Sequence, residues 1–225
     1  MARPVGANSE LTHQRILEAA EQLFTGGDPS DVSLRKIARL AEVSVGTIQH
    51  YFGSRGELYQ ACIDRFYMRM DDEVAQLMRD VQQLPTAELI SVAVRRMFRF
   101  ACAERGAVRM RMEAVVRTGL LEDEVLRHST LPFLEEIARR LQSSVPLART
   151  QLRIAASSIV HLVSRLAITE PTQLASLLGL PACASEKEVF DEAERFLTHA
   201  AAALLCIGGS LDNRQHAEPT RAVAN

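Results

Sequence analysis

The segment Ser33–Phe52, SLRKIARLAEVSVGTIQHYF, constrains the fold more than any other, because it holds two short helical patterns separated by a tight break. In the first, Leu34, Ile37, Ala38 and Ala41 recur at helical spacing, which makes one face apolar and turns Arg35, Lys36 and Arg39 mostly to water. Ser33 stands where an N-cap is needed. The second pattern opens at Ser44, another side chain able to accept from the unpaired amides of a helix start, and it buries Ile48 and Phe52. Val45, Gly46, Thr47, Gln49 and His50 are left facing outward. Small and hydrogen-bonding side chains on an exposed helix suit a major groove about 12 Å wide. The pattern therefore implies a helix-turn-helix that reads DNA, although periodicity alone equally suits a helical hairpin in an all-helical core with solvated basic residues.

Composition supports an all-α chain. Aromatic residues are 5% with no Trp, alanine and leucine are frequent, and no run alternates in the manner of a strand. With 225 residues, 47% hydrophobic and 24% charged, the chain is neither disordered nor fibrous and is long enough for a substantial core. The longest apolar run, Ala200 to Ile207, is far short of the roughly 20 residues that span a bilayer. The N-terminus lacks an apolar signal core. These features predict a soluble cytoplasmic protein with no membrane partner. A net charge of −2 looks wrong for a DNA binder, since affinity comes largely from neutralising phosphates. The distribution answers this: Arg35, Lys36, Arg39 and Arg55 face a single Glu42 between Ser33 and Arg55.

The breaks and caps predict about nine helices. Residues 1–11 read as a flexible arm, and a first helix runs from Thr12 to Thr25, stopped by Gly26, Gly27, Asp28 and Pro29. Ser54 and Glu57 form a capping box for a long helix to about Gln83, which Pro85 ends. Further helices are expected over Thr86–Glu104, Val108–Arg117, Glu122–Leu141 and Leu147–Thr169, with a break at Gly106 and a kink at Pro132. Pro171–Ala184 reads as looser. Ser185 and Glu188 cap a last helix to Ile207, and residues 208–225 read as a disordered tail.

The stretch from about Thr12 to Arg65 resembles the DNA-binding domain of the TetR/AcrR family of bacterial transcription regulators. The resemblance is carried by RILEAAEQLF, the turn GGDPSDVS and IARLAEVSVGTIQHYFGSRGELY. It implies a helix-turn-helix domain over 12–65, followed over 66–207 by a helical bundle that binds a small-molecule effector and pairs through its last two helices with a second subunit. It also implies phosphate contacts at Ser33 and Tyr51, with Thr47 on phosphate or base. Three positions depart from the family. Glu42 takes a turn corner where glycine is usual, at about 1–2 kcal/mol for a left-handed backbone. Gln49 stands where tyrosine is common, and an amide can pair bidentately with adenine. Arg55 replaces a lysine after the recognition helix and is expected on phosphate.

In the bundle, Met97, Phe98, Met112, Val116, Phe133, Ile137, Leu162 and Leu166 are candidates to line a ligand pocket, because they mix bulky with flexible apolar side chains. The same stripe also reads as ordinary packing. His161 lies among Ile159, Val160, Leu162 and Val163, where its ring suits a ligand contact or a satisfied core position. Four scattered cysteines without a CxxC pair argue for burial over metal binding, and no metal or other cofactor is expected. The rival class is a helical-bundle enzyme. It needs repeated Glu-x-x-His pairs, yet Glu10–His13 is the only one, and HExxH, GxSxG and phosphate-loop motifs are missing. The sequence thus predicts a homodimeric, ligand-responsive regulator, a repressor by family expectation, on a double-stranded palindromic operator. An architectural or activating DNA binder whose bundle only dimerises is the alternative.

Overall fold

The computed structural model describes residues 5–118 and 130–207. These form ten α-helices and, among the described residues, no strand. In chain order they are α1 (Val5–Gly26), a 3-10 turn (Pro29–Asp31), α2 (Leu34–Leu40), α3 (Val45–Phe52), α4 (Arg55–Asp80), α5 (Thr86–Ala103), α6 (Arg105–Thr118), α7 (Leu131–Leu141), α8 (Arg149–Ala167), α9 (Pro171–Leu177) and α10 (Glu186–Leu204). Two apolar clusters organise them. Ile16, Phe24, Ile37, Ile48 and Leu58 centre the first, and Phe98, Leu152, Leu174 and Leu197 the second. α4 serves both, sending Leu58, Cys62, Ile63 and Tyr67 into the first cluster and Phe66 into the second.

Local signals set most helix starts. The hydroxyls of Ser33, Ser44, Ser54 and Ser185 accept from the backbone N–H of Lys36, Thr47, Glu57 and Glu188, and the last two pairs complete capping boxes. α2 ends in a Schellman motif: Glu42 N–H donates to Arg39 O, and Val43 N–H to Ala38 O at 3.0 Å. Glu42 is the left-handed residue of that motif, at φ 53°, as its corner position predicts. Two elements pair across the bundle by charge: Arg99 on α5 grips the buried Glu194 on α10 through Nε at 2.6 Å and Nη2 at 3.1 Å.

Several expectations need correction. The arm expected over 1–11 is helical from Val5, because no breaker lies between Val5 and Thr12 other than Gly6, and α1 gains seven residues. Gly106 does not break a helix; Glu104 is the C-cap of α5, and Gly106 lies in the first turn of α6. Its role is close approach, since a Cβ there would sit 2.1 Å from Thr25 Cβ on α1. Pro132 falls in the first turn of α7, where proline is tolerated. Pro171 likewise starts α9 inside the stretch expected to be loose. The expected tail 208–225, and the part of the Glu122–Leu141 helix before Thr130, lie outside the described residues.

Candidate nucleic-acid interface and interior cavity

The helix-turn-helix is α2, the Schellman turn and α3. Ile37, Ala38, Ala41 and Ile48 anchor it inward, Ile37 and Ile48 with no exposed surface. Its outward face carries Gly46, Gln49 and His50 on α3 and Arg35, Lys36 and Arg39 on α2, all exposed. Arg35 and Arg39 make no ion pair or side-chain hydrogen bond among the described residues, so their guanidinium groups are available to an anion. Lys36 Nζ donates to Asp31 O at 2.9 Å. Ser33 is exposed and uses its oxygen as the α2 cap, which leaves its O–H as a donor.

Other predicted positions are less open. Val45 is half-buried and packs on the first core. Thr47 is half-buried, with its hydroxyl 2.8 Å from Ser44 Oγ. Tyr51 is held from two sides: its hydroxyl lies 2.9 Å from Ser9 Oγ, and its ring meets those of His13 and His50 edge-on. His13 also stacks on Phe52 at 4.5 Å, so the first turns of α1 brace the end of α3. Sequence periodicity does not reveal this brace, because Ser9 lies in the segment expected to be a flexible arm and the partners of His13 are some forty residues away.

Arg55 departs most from its expected role. Its Nε donates to Val32 O at 2.6 Å, its Nη2 donates to Pro29 O, and its guanidinium lies 5.4 Å from the Phe24 ring centroid. The charge closes the turn before α2 over the aromatic core instead of facing outward, and it is a structural tie. No local pattern separates an outward cation from one that satisfies carbonyls 23 and 26 residues earlier.

The bundle encloses a cavity of about 190 Å³ between α4, α5, α6, α7 and α8. Among the predicted residues Met97, Phe133, Ile137 and His161 lie on its wall, and Phe98, Met112, Val116, Leu162 and Leu166 do not. Phe98 is 0% exposed and meets Phe190 edge-on on the far side of α5, as core packing. Val116 is 83% exposed. Met112, Leu162 and Leu166 pack partly buried against the second core. His161 Nδ1 lies 2.7 Å from Ser157 O, a carbonyl that only accepts, so Nδ1 is the donor in this bond. The wall residues missed by sequence reasoning include Phe66, Met70, Val74 and Met78, spaced by four along α4. That spacing is visible in the sequence, but nothing local separates it from ordinary packing.

The cavity and the helix-turn-helix domain meet at α6. Met110 inserts from α6 into the first core with 1% exposure, and its carbonyl accepts from Tyr59 Oη at 3.2 Å. Arg109 Nη2 donates to the carbonyls of Thr25 and Gly27 at 3.0 and 2.8 Å. Arg69 on α4 spans Glu104 at 2.8 Å and Glu21 at 3.1 Å. These contacts tie α6, α4 and the end of α1 together.

Burial pushes the Cys62 thiol up to about 12 and the Cys102 thiol up to about 11, so neither ionises near neutrality. Among the described residues no three His, Cys, Asp or Glu side chains gather in a way that would hold a metal ion, and no helix is long and apolar enough to cross a membrane.

Residues 16–62 match the model for bacterial regulatory proteins of the tetR family. An HTH-type transcriptional regulator of Mycobacterium tuberculosis (strain H37Rv) is 37% identical over 84 residues, covering 37% of this chain and 42% of that protein. The chain thus matches less than half the length of that relative. Among solved structures, a TetR-like transcriptional regulator from Rhodococcus sp. RHA1 superposes with a TM-score of 0.62 at 23% identity, covering 91% of this chain and 98% of that one. The regulator FadR from Bacillus subtilis, in complex with stearoyl-CoA, superposes with a TM-score of 0.57 at 18% identity, covering 83% and 98%. Residues 16–62 thus carry the sequence of a tetR-family N-terminal domain, and the fold along most of the chain resembles that of TetR-like regulators.

Proposed function

We propose that the chain is a homodimeric, ligand-responsive transcription regulator, a repressor whose two α3 helices enter successive major grooves of a palindromic operator. The observation that carries this reading is the outward face of α2 and α3, where Gly46, Gln49 and His50 stand exposed beside the unpaired Arg35 and Arg39. In it, the arginines bind phosphate without reading sequence, and Gln49 reads an adenine edge. Ser33, Thr47 and Tyr51 serve as further backbone contacts. Half-site centres about 34–36 Å apart match one helical turn. The second subunit packs on α8 and α10, which leave Ile154 70% and Phe196 46% exposed in the single chain.

The cavity supplies the signal, and the stearoyl-CoA held by FadR, which shares the fold, supports a small molecule as its occupant. A ligand that spreads the cavity wall moves α4 and α6. Because α6 is tied to α1 and α4 begins directly after α3, the two recognition helices change separation. The expected coupling is about 1–3 kcal/mol, or roughly 5-fold to 150-fold in affinity, and it is reciprocal. The test is to select sequences from random DNA, find small molecules that dissociate the complex, and measure their affinity with and without the selected DNA. The two couplings should agree. Equal ligand affinity in both states would sink the mechanism.

A further inference from the structure

We propose that the bundle cavity takes an apolar organic molecule bearing one carboxylate, and that Arg111 recognises the carboxylate. This rests on the ligand-responsive reading above and narrows it to a chemical class. The wall is largely aliphatic and aromatic, with Met70, Val74, Leu89, Met97 and Ile137 prominent. Among the described residues, Asp71, Arg111 and Arg140 are the charged groups on it. Asp71 is engaged in a contact of its own. Arg140 has Glu136 Oε1 at 3.1 Å and Met78 O at 3.4 Å.

Arg111 is different. It is half-buried, its Nε donates to the Tyr67 hydroxyl at 2.9 Å, and its Cζ lies 5.9 Å from the Tyr67 ring centroid. It forms no ion pair with a carboxylate among the described residues. A guanidinium partly removed from water with a neutral phenol as its partner is under-compensated, and a carboxylate fits its planar fork through two parallel N–H···O bonds. An organic cation would meet the same charge and be repelled. A neutral apolar molecule would gain burial and leave Arg111 as it is. The ligand class that uses both the wall and the charge is an amphipathic carboxylate.

The location links recognition to signalling. Tyr67 is on α4 and is 7% exposed, packed in the same core as Ile48 of α3. A carboxylate competing for Arg111 loosens the α6–α4 contact at the point where the cavity meets the DNA-facing domain.

Calorimetric titration of the full-length protein tests this with decanoate, decan-1-ol and decyltrimethylammonium, all below micellar concentrations, and with 1-naphthaleneacetate against 1-naphthaleneethanol as a flat pair. Each carboxylate should bind about tenfold or more tightly than its alcohol, with the ammonium weakest, as expected for one charge-assisted pair. Arg111→Met should erase the difference and keep alcohol binding. Tyr67→Phe, which removes the competing hydroxyl, should tighten both carboxylates. The proposal is overturned if the ammonium or alcohols match the carboxylates, if no carboxylate binds, or if the preference survives in Arg111→Met. Should Arg111→Met not fold, a Tyr67→Phe protein with unchanged carboxylate affinity overturns it alone. A protein that selects DNA yet shows no carboxylate preference refutes this inference only. One that prefers carboxylates yet selects no DNA refutes the regulator reading only.

Discussion

The helix-turn-helix and the bundle behind it are built from the same residue types but specified differently. In α2 and α3, each turn, cap and apolar anchor lies within a few residues of the group it serves: Ser33 to Lys36, Ser44 to Thr47, Glu42 to Arg39. In the bundle the meaningful neighbours are far apart in sequence, as with Gly106 against Thr25, Arg99 against Glu194 and Arg111 against Tyr67. A local code presents a fixed surface, the one proposed to read DNA. A non-local one makes a cavity whose wall is shared by five helices, which is what the proposed ligand response requires.

Substitutions can break or sharpen this contrast. The largest expected effect is at Phe98: Phe98→Ala should cost about 3–5 kcal/mol in urea unfolding, because it empties a fully buried site, whereas Val116→Ala should stay within about 0.5 kcal/mol. If Phe98→Ala left stability intact and altered ligand affinity instead, Phe98 would belong to the cavity after all. Next comes Gly106→Val, which drives α6 off α1 and should cost about 3 kcal/mol by the same measurement. A neutral result would mean the α1–α6 contact yields easily and cannot transmit motion.

The two kinds of arginine give a smaller and sharper test. Arg35→Ala should reduce the salt slope of DNA binding by about one unit with little change in stability. Arg55→Ala should leave the slope unchanged and lower stability by about 1–2 kcal/mol, through two lost bonds to carbonyls. Reversal of these outcomes would restore Arg55 as a phosphate contact. The smallest effect is at the corner, where Glu42→Gly should raise stability by up to about 1 kcal/mol, since relief of left-handed strain is partly offset by chain entropy.

Legibility follows the same division. Ser33, Ser44, Ser54 and Ser185 were readable as caps because the signal and its partner lie three residues apart, and Glu42 as a strained corner because the break fixes its backbone. Met97, Phe133, Ile137 and His161 were placed on the right helices and do line the cavity, while Phe98 and Val116 sit one position or one face away. Apolar character tells a helix which face to bury, yet it does not tell a wall from a core. Arg55 and Gly106 were misread for a related reason: a cation reads as a surface group and a glycine as a breaker until their distant partners are known.

The central claim is that the exposed face of α3 reads sequence, with Gln49 on a base. Selection from a randomised DNA pool by the wild type and by Gln49→Ala tests it most directly. The account predicts a palindrome with half-sites one helical turn apart, and in the variant a loss of about 1–3 kcal/mol of preference confined to one adenine-bearing position per half-site. An identical set of preferences from both proteins, or no enriched sequence from either, would contradict it.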